Sequence, residues 1–98
     1  MKFAAVIAYD PQDSRLAEVR PPHRKYLAEL LEKNLLVISG PFTEGGGALI
    51  VYETATKEEA ETLLRADPFT TSGVFTSWTI RPWNPIFFNN GLLKAPPA

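Results

Sequence analysis

Four short β-rich runs, split by two segments of helical period in the order βαββαβ, predict an α+β fold of ferredoxin-like topology. Two start signals support it: Pro21-Pro22 ahead of Leu27, Leu30 and Leu31, and Thr56-Lys57-Glu58-Glu59 ahead of Ala60, Leu63 and Leu64. The expected sheet is four-stranded and antiparallel, with both helices on one face. A chain of 98 residues has room for this and little more.

Phe3 to Tyr9 reads as the first strand, closed by the turn material Asp10-Pro11-Gln12-Asp13-Ser14. The first helix is expected to begin at Pro21-Pro22, whose missing N–H groups cost nothing in a first turn, and to end near Lys33 or Asn34. Leu35–Ser39 and Ala48–Glu53 form a hairpin whose loop holds Gly45-Gly46-Gly47. That glycine run lacks the following helix and the Lys-Ser/Thr of a phosphate loop, so it reads as a flexible turn. The second helix is capped by Thr56 and ends near Ala66, because Pro68 biases Asp67 away from helical geometry. Val74 to Pro82 is the fourth strand. Residues 1–83 form the domain, and 84–98 an apolar tail expected to pack at a subunit interface.

Composition narrows the function. Net charge is −1, which gives no basic stripe for nucleic acid. No run reaches the roughly 20 apolar residues that a membrane helix needs, so a cytoplasmic protein is expected. The absence of cysteine removes thiolate nucleophiles and cysteine-ligated metals, and one histidine cannot build a multi-histidine site, so neither metal nor cofactor is expected. Strands one and two are apolar on both alternations, as in sheets covered on both faces. Two helices cover one face only. A second subunit is the expected cover, giving a homodimer, and the tail offers a route to a larger assembly.

The lone histidine, His23, is expected at the start of the first helix and Asp67 at the end of the second. Each would then oppose its helix dipole by roughly 0.3–1 kcal/mol, which suggests a site. The topology brings these two helix ends to one sheet edge, together with Tyr9 and with Ser39 and Gly40, while Phe69 walls the hollow. Histidine with a carboxylate partner is a proton-transfer pair; the plainer reading is an ion pair within the packing. Arg20 either grips a substrate anion or is a solvated loop residue. Tyr9 and Ser39 either hydrogen-bond a ligand or satisfy a buried edge. Trp78, Trp83, Phe87 and Phe88 are either a ligand cage or interface filling.

The motifs Arg20-Pro21-Pro22-His23, Gly40-Pro41, Asp67-Pro68-Phe69 with Ser72-Gly73-Val74, and Ile80-Arg81-Pro82-Trp83 together resemble the YCII-related (YciI-like) family, from the first strand to about Trp83. The resemblance implies a dimeric α+β barrel of ferredoxin-like subunits, with a histidine and an aspartate at positions 23 and 67 in its site. Asn34 stands where a glycine is frequent, a residue that also accepts a left-handed helix cap. The reading that follows is a cofactor-free enzyme in which His23 is the acid or base and Asp67 tunes it. Its substrate would be a small planar organic molecule, undergoing isomerisation, elimination or a related proton transfer. The alternatives are a non-catalytic dimeric module binding a small ligand or partner, and cofactor-independent oxygenation of a phenol.

Overall fold

A computed structural model describes residues 1–93. The elements are β1 (Lys2–Ala8), α1 (Leu16–Glu32), β2 (Leu36–Pro41), β3 (Ala48–Glu53), α2 (Lys57–Arg65), α3 (Pro68–Thr71) and β4 (Ser77–Trp83), followed by a 3₁₀ turn at Asn90–Leu92. The strands lie in the order β2-β3-β1-β4, every pair antiparallel. This is the expected ferredoxin-like sheet. Phe3, Ala5 and Ile7 of β1 pack with Ile50 and Tyr52 of β3, Ile80 of β4, and Leu30 and Leu64 from the helices.

The first helix differs from expectation. It begins five residues earlier, at Leu16, and carries Pro21 and Pro22 inside it. The reason lies in long-range contacts of the preceding turn. Asp13 Oδ1 accepts from the Arg15 N–H at 2.9 Å, and the Arg15 guanidinium donates to Asp13 Oδ2 at 2.7 Å and to the Ser72 carbonyl at 2.6 Å. The start of α1 is thereby tied to the loop before β4. Leu16, Val19 and Leu27 pack against the core, and that burial outweighs two absent proline N–H bonds. The C-terminus follows the Schellman pattern: Leu35 N–H donates to Leu30 O (2.9 Å) and Asn34 N–H to Leu31 O (3.1 Å), with Asn34 at φ 59°.

Helix α2 ends as expected: Ala66 is its C-cap, and the N–H of the following Asp67 donates to the Leu64 carbonyl at 3.2 Å. Asp67 caps a further single-turn helix, α3, which the sequence reading did not anticipate. β4 starts at Ser77 rather than Val74, since Val74 and Phe75 turn into the core, fully or nearly buried. A β-bulge in β2 is the other departure: Leu36 pairs with Tyr52 and Ile38 with the adjacent Val51, leaving Val37 extra. The bulge reverses the alternation, so that Ser39 stands opposite Ile50 on the helix-covered side.

On the opposite side of the sheet, Ala4, Val6, Leu49, Val51 and Ile38 share one face by register. Val6 is 44% exposed there. Beyond β4, Phe87 and Phe88 are 96% and 68% exposed, while Trp78 packs against the core under the Arg65 guanidinium. These aromatics form no cage among the described residues. The part of the tail from 94 to 98 lies outside the described residues. No helix among those described is long and apolar enough to cross a membrane.

Candidate active site

Asp67 is fully buried, and two donors offset the cost of burying a carboxylate there. Its Oδ1 accepts the Phe69 N–H at 2.9 Å, capping α3, and meets His23 Nδ1 at 2.7 Å. A carboxylate only accepts, so in this bond Nδ1 carries the proton, and in the neutral imidazole Nε2 is then the nitrogen with the lone pair. Nε2 has no hydrogen-bond partner among the described residues. His23 is the eighth residue of α1, so the expected dipole misfit is absent there; Asp67 follows the Ala66 C-cap of α2 and is at the same time the N-cap of α3, where its carboxylate side chain is favourable. What joins them is packing of α1 against α3. The imidazole stacks on Phe69, ring centroids 4.1 Å apart, and meets the edge of Phe75 at 5.9 Å.

The His23 ring borders a hollow of about 290 Å³. Tyr9, Arg20, Ser39, Gly40 and Phe69 line it too, so every residue expected at the site is there except Asp67, which stands behind His23. The hollow suits a molecule of one ring, walled by the Phe69, Phe75 and Tyr9 rings. Sequence reasoning missed Phe75 and Arg24. With the helix set to start at Pro21, Arg20 read as a loop residue and its i, i+4 relation to Arg24 was hidden. In the extended α1 both arginines line the hollow with His23, and neither forms an ion pair among the described residues.

The charge of Asp67 reaches further into the core. The Tyr26 and Tyr52 hydroxyls are both held above the usual phenol range, first by burial and then by the Asp67 carboxylate. Tyr26 donates to the Leu63 carbonyl at 2.7 Å. Among the described residues, no three His, Asp or Glu side chains come together in a way that would hold a metal ion.

The YCII-related domain model matches residues 1–84. The chain belongs to the YCII-related family. No curated protein matches it. Among solved structures, this YCII-related chain is similar to 5-chloro-2-hydroxyhydroquinone dehydrochlorinase (TftG) from Burkholderia phenoliruptrix AC1100, in complex with 2,5-dihydroxybenzoquinone. The TM-score is 0.66 over 86% of this chain and 94% of that one, at 21% identity. At that identity the likeness speaks for the fold.

Proposed function

We propose that this YCII-related protein is an acid–base enzyme that moves a proton on a small planar anion, with His23 as the proton acceptor and Asp67 as its partner. One observation carries the reading: a 2.7 Å bond from Nδ1 to a fully buried carboxylate, on a histidine that borders an open hollow. The bond fixes the tautomer, and the Asp67 charge stabilises the imidazolium that forms when Nε2 takes a proton. Arg20 and Arg24 hold the carboxylate or phenolate of the substrate, while Phe69 and Phe75, packed on the imidazole, fix the His23 ring so that Nε2 meets the substrate in the plane of the imidazole. Tyr9, Ser39 and the Gly40 backbone are the remaining polar groups for orientation.

Transfer of a hydroxyl or carbon-bound proton to Nε2 leaves the electron pair in the ring system. The pair then either expels a leaving group as its anion, or recovers the proton at another atom. The first outcome is an elimination and the second an isomerisation, and neither requires a cofactor. TftG is named a dehydrochlorinase of a hydroxyhydroquinone, which makes chlorinated and unchlorinated hydroquinones and hydroxybenzoates the first substrates to test. The experiment is a turnover screen with that panel, followed by His23→Ala on any substrate found. A fall of about 10²–10⁴-fold in kcat supports the mechanism, whereas full activity removes it. Ligands that raise the melting temperature and are recovered unchanged, with His23→Gln still binding them, replace it with a non-catalytic binding module.

A further inference from the structure

Exposure falls in one direction along the His23 side of the hollow. Arg20 and Arg24 are exposed, the His23 side chain is 14% exposed, and Asp67 is fully buried. The positive charges of the lining therefore stand at the wet rim, and no Asp or Glu among the described residues lines the hollow beside them. The two arginines are one helical turn apart and neither is ion-paired among the described residues, so an anion between them relieves the repulsion of like charges at that spacing. Further in, Nδ1 of His23 is committed to Asp67 at 2.7 Å, and Nε2 of the neutral ring can only accept. A hydroxyl brought to that lone pair donates to it, whereas an anionic oxygen is repelled and also bears the cost of losing its water.

We propose that the hollow reads the proton count of its ligand. It takes a planar monoanion of the hydroxyaryl carboxylate type, with the anionic group at Arg20 and Arg24 and the hydroxyl donating to Nε2 of His23. A ring that brings a second anionic oxygen to the same place enters only with a proton on Nε2. This rests on the reading of His23 and Asp67 as a pair, and it makes the mobile proton an oxygen-bound one: the O–H bond breaks, its electron pair stays with the substrate, and an Nε2–H bond forms. The titratable groups around the ring are Arg20 and Arg24 on its own helix, Tyr9 beyond β1 and Asp67 at the cap of α3, with Tyr26 and Tyr52 near enough to feel the Asp67 charge. Arginine and phenol already hold their protons near neutrality, so an added proton goes to His23 or Asp67.

Terephthalate and 4-hydroxybenzoate are the probes. Both offer one carboxylate to the arginines; the far side of the ring carries an anion in the first and a hydroxyl in the second. Calorimetric titrations between about pH 7 and 8.5 lie above the ordinary imidazole range and below that of a phenol. Terephthalate should bind with uptake of about one proton, read from buffers of different ionisation enthalpy, and lose up to about tenfold in affinity per pH unit, while 4-hydroxybenzoate binds at constant affinity with no uptake. The chain has a single histidine, so its ring ¹⁵N resonances assign themselves and should show Nε2 protonated in the terephthalate complex. In His23→Gln, whatever affinity for terephthalate remains should not vary with pH. Terephthalate bound without proton uptake, with Nε2 unprotonated, overturns the proposal and leaves the His–Asp pair to be judged by turnover of His23→Ala. Failure of 4-hydroxybenzoate to bind saturably at millimolar concentration overturns it as well. A free ring protonated on Nε2 instead of Nδ1 overturns both.

Discussion

Asp67 does two jobs with one oxygen, and substitutions can separate them. Asp67→Asn keeps an oxygen for the Phe69 N–H and so keeps the cap of α3, but removes the charge that faces His23. We expect kcat to fall on any verified substrate, and the urea midpoint to fall by the cost of the amide NH2 that replaces the buried, unpartnered Oδ2, about 1–3 kcal/mol. Asp67→Ala loses the cap as well and should cost a further 1–2 kcal/mol or about that in the same unfolding titration. Arg24 acts on binding instead. Arg24→Gln should raise KM for anionic substrates about tenfold or more and leave kcat nearly unchanged, since a charged hydrogen bond contributes about 1.5–3 kcal/mol. A fall in kcat with constant KM would place Arg24 in the chemical step.

The elements are held in place by their ends. Gly45 and Gly47 both have positive φ, 78° and 90°, but their surroundings differ. A Cβ at Gly45 meets nothing within 4 Å, whereas one at Gly47 falls 2.6 Å from the Ile7 carbonyl oxygen, beside the pair Ile7–Ala48. Gly45→Ala should therefore cost only the left-handed strain of about 1–2 kcal/mol, and Gly47→Ala distinctly more, as measured by denaturant unfolding. At the start of α1, the hydrogen bonds from Arg15 hold the Asp13 carboxyl at about 2, below the usual carboxylate range. A carboxyl depressed in the folded state stabilises above its unfolded pKa and loses that contribution as pH falls toward the folded one. Asp13→Asn should flatten the loss of thermal stability between about pH 4 and pH 2 relative to the wild type.

At the scale of the whole molecule, the sheet has a covered side and an uncovered one. Ala4, Val6, Ile38 and Leu49 are the wrong chemistry for a face turned permanently to water, and a second copy packed sheet to sheet is the cover we propose. Val6→Glu puts a charge at the centre of that face and is expected to convert a dimer to a monomer in size-exclusion chromatography with light scattering. A wild-type chain already monomeric at micromolar concentration would end the dimer proposal. The exposed Ile86, Phe87 and Phe88 contribute little to their own subunit's core, so deleting residues 84–98 should leave the monomer's fold intact and act on assembly. Circular dichroism and light scattering on the truncated chain distinguish these effects.

Local chemistry in the chain was enough for the order of the elements, the bounds of β3, the Thr56 cap of α2 and the left-handed turn at Asn34, because each is set by neighbours a few residues apart. Topology then carried His23 and Asp67 to one edge without knowledge of any side-chain position. Contacts distant in sequence decided the rest. The start of α1 depends on Arg15 reaching Ser72 and Gly73, which is why Pro21-Pro22 marked a false beginning and Arg24 stayed hidden. The side on which Ser39 stands depends on the bulge at Val37, set only when β2 pairs with β3. That Asp67 caps α3 and turns one oxygen to His23 arises from the packing of α1 against α3, because a buried carboxylate takes the conformation in which its donors are found.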